Sequence, residues 1–215
     1  MADAAADFDT TMLTTWIRDF AGTIDRNAAY LTELDAAIGD ADHGINMHRG
    51  MAAVLAKLDQ TVPDDLAGLC KQTAMALISS VGGASGPLYG TFFLRMAPVL
   101  GPNSSVPAAT LAAALRTGIN GVIQRGRAET GDKTMIDALV PAADTFETAL
   151  AQGMPMSDAL QRAADSAAVG RDATAPWVAR KGRASYLGER SAGHIDPGAA
   201  SAAMLIAAAS AAVRG

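Results

Sequence analysis

The chain has 215 residues, of which 50% are hydrophobic, and a formal net charge of −5 at pH 7. This length is enough for one domain with a full hydrophobic core, so folding needs neither a structural metal nor a disulfide. A pI of about 5.1 disfavours a nucleic-acid-binding protein, which needs a basic surface to neutralise phosphates. The lone Cys70 rules out a disulfide framework and is typical of a reducing compartment.

No targeting or membrane-spanning segment is recognisable in the sequence. Residues 1–9 are rich in Ala and Asp and contain no Lys or Arg, so the basic start of a signal peptide is missing. The longest apolar run, residues 202–213, is interrupted by Ser210 and is shorter than the roughly 20 residues of a membrane span. We therefore expect a soluble, cytoplasmic protein.

Composition and periodicity predict an all-α fold. The chain contains 48 Ala and only 5% aromatic residues, which favours closely packed helices over sheets. Apolar residues recur at three- and four-residue spacing through most of the sequence. The predicted helices cover a stripe from Phe8 to Leu31, then about 45–59, 64–81, 88–100, 107–124, 133–150 and 156–169, and a last helix that starts at Asp196-Pro197.

About eight helices with short connections predict an antiparallel up-down bundle, formed as a single domain over residues 1–215. No strand and no linker is predicted. Polar residues and glycines concentrate in four connections, which are 35–46, 81–90, 126–134 and 180–198. In an up-down bundle these alternate connections lie at the same end, so we expect a functional site at one rim of the bundle.

The first of these connections carries three acids, Asp35, Asp40 and Asp42, with flanking glycines that permit a tight turn. Three carboxylates that converge repel one another, so convergence implies a hard cation such as Mg²⁺ or Ca²⁺. The alternative is a solvated acidic loop before the next helix. An EF-hand does not fit, because the sixth and twelfth positions counted from Asp40 are Ile45 and Met51.

The second connection holds four glycines, Gly82, Gly83, Gly86 and Gly90, and leads into a helix. Glycines at a helix start let backbone N–H groups approach an anion, and the helix dipole favours negative charge there. Close packing between two helices explains the same glycines equally well. The sequence therefore leaves an anion site and a packing role open.

The third connection has the glycine spacing of a phosphate-binding P-loop at residues 126–131. However, Asp132 stands where that loop requires Lys, and the preceding segment is helical in pattern, so the chain is not a P-loop NTPase. Lys133 and Thr134 could still contact phosphates from a different backbone. An ordinary helix start with Asp132 as its cap is the alternative.

The fourth connection holds four of the 17 basic residues in this acidic chain. Positive charge beside a candidate metal site suits a phosphorylated ligand, since Arg can bind phosphate through two parallel hydrogen bonds. A solvated loop is the alternative for this stretch when it is taken by itself.

Taken together, these segments resemble the nucleotide-binding L subunits of dihydroxyacetone kinases. The resemblance covers nearly the whole chain in order and spacing. Some members of the family have Gly where this chain has Ala41, a change that leaves all three acids intact. The similar stretches are LDAAIGDADHGINM at 34–47, GGASGPLYGTFF at 82–93, GDKTM at 131–135, GRASYLGERS at 182–191 and DPG at 196–198.

The resemblance implies an antiparallel barrel of eight amphipathic helices with a nucleotide across one rim. Asp35, Asp40 and Asp42 would hold two Mg²⁺ ions that bridge the phosphates of ADP or ATP. No catalytic side chain is implied, because phosphoryl transfer needs alignment and charge neutralisation more than covalent help. The residues implied to line the nucleotide are His43, Gly44, Ile45, Asn46, Ala84, Ser85, Gly126, Met135, Arg183, Asp196, Pro197 and Gly198.

The resemblance also implies a kinase subunit that passes the γ-phosphoryl group to dihydroxyacetone on a substrate-binding partner subunit. A chain of 215 residues has no room for the substrate domain, so we expect the separate-subunit form. In that form, a phosphohistidine subunit of the phosphotransferase system rephosphorylates the bound ADP. The alternatives are a kinase subunit that uses free ATP on a related ketose such as erythrulose, or a non-catalytic regulatory module. Neither a nucleic acid nor a membrane is an expected partner.

Overall fold

The computed structural model describes residues 7–214, and their fold is helical, as predicted. A 3₁₀ segment, Arg183–Ser191, lies in the last connection between helices. The α-helices are α1 (Thr10–Ile38), α2 (His43–Gln60), α3 (Leu66–Ser80), α4 (Ser85–Leu100), α5 (Ala108–Gly126), α6 (Ile136–Ala151), α7 (Met156–Ala173) and α8 (Pro197–Arg214).

Each helix packs against the next along the chain, and α8 packs back against α1, which closes the bundle. This arrangement confirms the predicted up-down bundle. The connections that follow α1, α3, α5 and α7 therefore lie at one end of the bundle, which we call the rim.

The core combines aromatic rings with close contacts made by alanine. Trp16 on α1 lies edge-on to Phe92 and tilted against Phe93 of α4, with ring centroids 6.5 and 6.1 Å away. The indole N–H of Trp16 donates to the backbone oxygen of Leu205 on α8 at 2.8 Å. Small side chains along α8 let that helix approach its neighbours closely, which accounts for the high Ala content of this helix.

Two short strands at the end opposite the rim were not predicted. β1 (Phe8–Asp9) pairs antiparallel with β2 (Ser105–Val106), and Phe8 lies opposite Val106. The prediction of Phe8 on a helical stripe was therefore wrong. The carboxylate of Asp9 accepts the N–H of Met12 at 2.8 Å and caps α1, which leaves Phe8 in extended backbone before the helix.

The predicted start of α6 was also wrong. Lys133 has a left-handed φ of 64°, so the helix begins only at Ile136. Asp132 is not its cap, because its carboxylate accepts the N–H of Glu129 within the connection, at 2.8 Å. The helices α2 and α4 begin slightly earlier than predicted, and the 3₁₀ segment had no signal in the periodicity.

Helix α8 is long and apolar enough to cross a membrane by length and composition, with a mean hydropathy of 1.2 over its 18 residues. In this structure 61% of those residues are buried, which is typical of a core helix. The helix is longer than the apolar run at 202–213 that the sequence suggested. The signal-peptide prediction concerns residues 1–9, of which 1–6 lie outside the described residues.

Candidate functional site

The four glycine-rich connections meet at the rim around one cavity of about 470 Å³, as the up-down topology predicts. Backbone and side chains from every one of these connections contribute to its wall. The residues that line it are Asp35, Ile38, Gly39, Asp40, Asp42, His43, Gly82, Gly83, Ala84, Ser85, Pro87, Leu88, Tyr89, Val122, Arg125, Gly126, Ala128, Lys133, Thr134, Met135, Ile136, Lys181, Gly182, Arg183, Ala184, Asp196, Pro197 and Gly198.

Three acids, Asp35, Asp40 and Asp42, form the most charged part of this wall, and we call them the acid triad. One carboxylate oxygen from each lies within 4.8 Å of the others. Asp35 sits in the last turn of α1, where its Oδ2 accepts the N–H groups of Asp42 at 2.8 Å and His43 at 3.1 Å. Ala41, with a left-handed φ of 60°, makes the turn between the other two acids. The carboxylate of Asp35 thus ties the end of α1 to the start of α2.

The acid triad suits a hard divalent cation. Ligand oxygens on opposite sides of a bound Mg²⁺ lie about 4 Å apart, and those around Ca²⁺ about 5 Å apart, which matches the observed spacing. A Cβ at Gly39 would lie 2.0 Å from Asp35 Oδ1, so only glycine leaves that oxygen room. The guanidinium of Arg183 lies 2.9 Å from Asp40 Oδ2, with both side chains partly exposed to solvent. Among residues 7–214 this is the one salt bridge to the triad, so the carboxylates of Asp35 and Asp42 have none.

A buried hydrogen-bonded cluster lies beside the triad. The imidazole of His43 has Nδ1 3.1 Å from Ser85 Oγ and Nε2 2.8 Å from Ser201 Oγ. The hydroxyl of Tyr89 lies 2.7 Å from the same Ser201 oxygen. Burial lowers the pKa of His43, although the neighbouring carboxylates oppose this shift. Burial also raises the pKa of Tyr89. Both side chains are therefore neutral near pH 7.

Lys133 joins the third connection to the fourth, in an arrangement that we call the lysine clamp. Its side chain is fully buried. The ammonium donates to the backbone oxygens of Ser191 at 2.6 Å, Trp177 at 2.9 Å and Ala175 at 3.4 Å. Burial lowers the pKa of Lys133, while Asp196 opposes that shift. Because all three donors are engaged by carbonyls, the Lys133 side chain anchors the fourth connection and is not directed at phosphates.

Two acids near the lysine clamp, Asp137 and Asp196, accept hydrogen bonds from the backbone at the starts of α6 and α8. Asp137 accepts the N–H groups of Gly131 at 2.5 Å and Thr134 at 2.7 Å, and so holds the turn before α6. Asp196 accepts the N–H of Ala199 at 2.7 Å and so caps α8, which begins at Pro197. Burial raises the pKa of Asp196 to about 7, and the hydrogen bond from Ala199 opposes that shift.

The 3₁₀ segment covers part of the cavity mouth. Gly182 precedes it with a φ of 68°, and Gly188 within it has a φ of 56°, both in the left-handed region that favours glycine. Ser191 fixes its base, since the hydroxyl donates to the Gly188 oxygen at 2.6 Å and accepts the N–H of Ala179 at 2.8 Å. Its tip is open, with Tyr186 86% exposed.

Three residues predicted to contact a nucleotide lie outside the cavity wall. A Cβ at Gly44 would lie 1.9 Å from the Ala28 oxygen, so this glycine lets α2 approach α1. Ile45 is 58% exposed, and the Asn46 side chain accepts a hydrogen bond from Arg49 at 2.7 Å. A nucleotide contact for these three stays a prediction. The predicted residues that do line the cavity are His43, Ala84, Ser85, Gly126, Met135, Arg183, Asp196, Pro197 and Gly198, with the acid triad.

Sequence reasoning missed an apolar part of the wall, made by Leu88, Val122, Ala128 and Ile136. Leu88, Val122 and Ile136 sit on α4, α5 and α6 within the ordinary apolar pattern of core positions. Nothing in that pattern separates a residue that faces a cavity from one that faces another helix.

The family to which the chain belongs follows from comparison with known proteins. Residues 37–211 match the family model of the DAK2 domain. The chain belongs to the DAK2 domain family. It is 46% identical to the ADP-binding subunit of the PEP-dependent dihydroxyacetone kinase of Escherichia coli K12, across 89% of this chain and 91% of that subunit. It is 40% identical to the ADP-binding subunit of the PTS-dependent dihydroxyacetone kinase of Lactococcus lactis, across 92% and 93% of the two chains.

Other relatives are longer than this chain. The L-erythrulose kinase of Pectobacterium atrosepticum is 35% identical over 86% of this chain but only 32% of its own length. Among solved structures, the native dihydroxyacetone kinase of C. freundii superposes with a TM-score of 0.72 at 28% identity. That superposition covers 97% of this chain and 36% of the kinase, so the chain spans about a third of that protein. The same kinase in complex with AMP-PNP and Mg²⁺ gives a TM-score of 0.68.

Proposed function

We propose that this protein is the nucleotide-binding subunit of a dihydroxyacetone kinase of the phosphotransferase-system type, located in the cytoplasm. It would hold ADP or ATP with Mg²⁺ and pass the γ-phosphoryl group to dihydroxyacetone on a partner subunit. A phosphohistidine subunit would rephosphorylate the ADP. The observation that carries the proposal is the convergence of the acid triad at the rim of a DAK2 domain.

The charges of the site support a metal-bound nucleotide. We assign Asp35, Asp40 and Asp42 as ligands of two Mg²⁺ ions, which when bound neutralise the phosphates and polarise the bond to be broken. Two such ions contribute +4 against −3 from the triad, which leaves positive charge for phosphate oxygens. Arg183, now paired with Asp40, would add one more positive charge.

The rest of the cavity wall supports the organic part of a nucleotide. Helix α4 begins at Ser85 with its N-terminus at the cavity, so its free N–H groups and dipole favour phosphate there. The apolar residues of α4, α5 and α6 offer a dry surface of the kind that nucleobases bind. We assign the acidic side of the cavity to the phosphates and the apolar side to the base.

The acceptor sugar must come from another subunit. Direct transfer requires the acceptor hydroxyl close to the γ-phosphorus and in line with the bond that breaks. None of the three histidines offers a second binding site, because His43 is engaged by two serines, His48 pairs with Asp25 on the surface at 3.1 Å, and His194 is exposed. The rim is therefore the surface on which we expect a substrate-binding subunit to dock.

Reconstitution tests this proposal. The purified chain is mixed with Mg-ATP and dihydroxyacetone, first alone and then with a substrate-binding subunit and the phosphohistidine donor. We expect dihydroxyacetone phosphate only in the reconstituted mixture, and none when the chain carries Asp40→Asn. Rapid product formation by the chain alone would contradict the division of labour, and a wild-type chain that binds no Mg-ADP would contradict the nucleotide site.

A related ketose is a second candidate acceptor, favoured by the 35% identity to an L-erythrulose kinase. Erythrulose is assayed in the same mixture at equal concentration. A higher kcat/KM for erythrulose than for dihydroxyacetone would establish this second function, with the nucleotide site unchanged.

A further inference from the structure

Ser201 is a polar residue at a point where three helices meet. It lies on α8, is fully buried, and is surrounded along that helix by alanines. Its oxygen contacts His43 Nε2 on α2 at 2.8 Å and the Tyr89 hydroxyl on α4 at 2.7 Å. It also lies 3.1 Å from the backbone oxygen of Gly198, one turn earlier on its own helix. A buried hydroxyl with three partners is a specific arrangement that packing alone does not require.

The hydrogens in this cluster can be assigned by counting. A serine hydroxyl has one hydrogen to donate and two lone pairs to accept with. The Gly198 carbonyl only accepts, so Ser201 donates its hydrogen there. Tyr89 and His43 Nε2 must then both donate to Ser201. A neutral His43 that carries its hydrogen on Nε2 has a bare Nδ1, which accepts the hydroxyl hydrogen of Ser85 at 3.1 Å.

We propose that Ser201 is a positioning residue that holds His43 as the Nε2–H tautomer, so that the Ser85 hydroxyl offers only lone pairs to the cavity. The tautomer follows from the contacts of Ser201 with Gly198, His43 and Tyr89. Its effect on nucleotide binding rests on the function proposed above. Ser201 does not line the cavity, because the side chains of His43 and Ser85 lie between it and any ligand at Ser85.

The direction of the Ser85 hydroxyl hydrogen restricts which ligand groups can bind at the start of α4. With its hydrogen committed to His43, Ser85 Oγ can accept from a ligand N–H or O–H, or contact a cation, but it cannot donate to a phosphate oxygen. Phosphate at this point must use backbone N–H groups. In the opposite tautomer, His43 Nδ1 would donate to Ser85, which would leave the Ser85 hydroxyl hydrogen free to donate to phosphate. Ser201 would then have to donate to His43 Nε2, and its hydrogen bond to the Gly198 carbonyl would be lost.

Nitrogen NMR of ¹⁵N-histidine-labelled, ligand-free protein at mildly alkaline pH reads the tautomer directly. The chain has three histidines, and His43→Gln assigns the signal of interest. We expect the hydrogen of His43 on Nε2 in the wild type and in Tyr89→Phe, which leaves the Ser201–His43 contact intact. Ser201→Ala should convert the signal to a mixture of tautomers. A wild-type spectrum with the hydrogen on Nδ1, or an Ser201→Ala spectrum identical to wild type, would overturn the proposal.

Calorimetry with Mg-ADP adds a functional reading. We expect Ser201→Ala to bind about tenfold more weakly, the size of effect that loss of one buried hydrogen bond produces. The matched control is Ser210→Ala, a second buried serine on α8, whose only side-chain partner among the described residues is Gln161 at 3.3 Å. Equal affinities for wild type and Ser201→Ala would overturn the positioning role. A wild type that binds no Mg-ADP would instead contradict the proposed function, and the tautomer would still be decided by NMR.

If Ser201→Ala does not fold, the Ser85→Ala variant tests the tautomer of His43 instead. It removes the donor to Nδ1 at a partly exposed position at the start of α4. We expect the Nδ1 resonance to shift toward that of a free, unprotonated nitrogen while Nε2 stays protonated. Movement of the hydrogen to Nδ1 in this variant would show that Ser201 does not hold the tautomer.

Discussion

The lysine clamp and the acid triad lie in neighbouring connections of the same rim, yet their charges are satisfied in opposite ways. In the clamp, the Lys133 ammonium has three carbonyl partners and the nearby Asp137 accepts two backbone N–H groups. In the triad, three like charges face one another, and in the part of the chain that the structure describes only the exposed Arg183 forms a salt bridge with them.

The lysine clamp and the acid triad differ in how their charges are satisfied because one region stabilises the loops and the other binds a ligand. A buried charge is tolerated when the protein supplies its hydrogen bonds, and in return it fixes the segments that supply them. Like charges held close together cost free energy in the absence of a counterion, so they persist where a ligand brings that counterion. We infer that the clamp stabilises the fold and that the triad serves the ligand.

Removal of the clamp is expected to have the largest effect. Lys133→Met leaves three backbone oxygens without their donor in a buried site, so we expect the free energy of unfolding to fall by about 3 kcal/mol or more. Urea denaturation measures it. Lys181→Met, at an exposed position of the fourth connection, which the clamp anchors, is the control and should change stability by less than about 0.5 kcal/mol. Similar values for the two variants would show that Lys133 does not hold the loops.

Neutralisation of the triad is expected to change binding and leave stability intact. Asp40→Asn should weaken Mg-ADP binding at least about 100-fold, equivalent to about 2.7 kcal/mol, because a metal ligand is lost. The free energy of unfolding of the metal-free protein should stay unchanged or rise slightly, since repulsion is relieved. Calorimetry and denaturation measure the two effects. Asp64→Asn, an exposed acid in the α2–α3 connection at the opposite end, controls for net charge. Equal affinities for both variants would contradict the triad assignment.

Removal of the metal from the wild-type protein also tests whether the acid triad serves a ligand. A ligand at a hundredfold excess over its Kd stabilises the native state by about 2.7 kcal/mol. For a chain of this size we expect chelation of Mg²⁺ to lower the melting temperature of the nucleotide-loaded protein by roughly 5–10 °C. Asp40→Asn should show no such shift, whereas Asp64→Asn, at the opposite end of the bundle, should show all of it. A thermal scan of the wild type that is insensitive to chelator would mean that the triad holds no metal.

The smallest expected effect concerns the turn within the triad. Ala41 has a φ of 60°, a conformation that costs a non-glycine residue about 1 kcal/mol. Ala41→Gly removes that cost but makes the unfolded chain more flexible, so we expect a net gain of about 0.5 kcal/mol in unfolding free energy. Thermal unfolding of metal-free protein measures it. A loss of stability would indicate that the Ala41 methyl group makes packing contacts that outweigh the strain.

Sequence reasoning predicted the fold well because helical periodicity and short connections leave few ways to pack the chain. It also indicated that Asp35, Asp40 and Asp42 can converge, since the flanking glycines permit a tight turn within their connection, but a solvated acidic loop explained the same spacing. It could not predict the clamp, because Lys133 binds backbone oxygens 42 to 58 residues further along, which carry no side-chain signal. Ser201 was missed for a related reason, since a serine within an alanine-rich helix looks like any other small residue.

The directions of α1 and α8 determine which end of the protein faces solution when the chain is immobilised through one of its ends. This helix has 29 residues, so it runs about 43 Å from the β1–β2 pair to the rim. Helix α8 starts at the rim and runs the other way, so Asp7 and Arg214, the first and last described residues, both lie at the end away from the cavity. A biosensor chip, bead or fluorophore attached at either of these positions would leave the rim facing solution. Association with a second protein could then be followed on an oriented, immobilised layer without obstruction of the cavity.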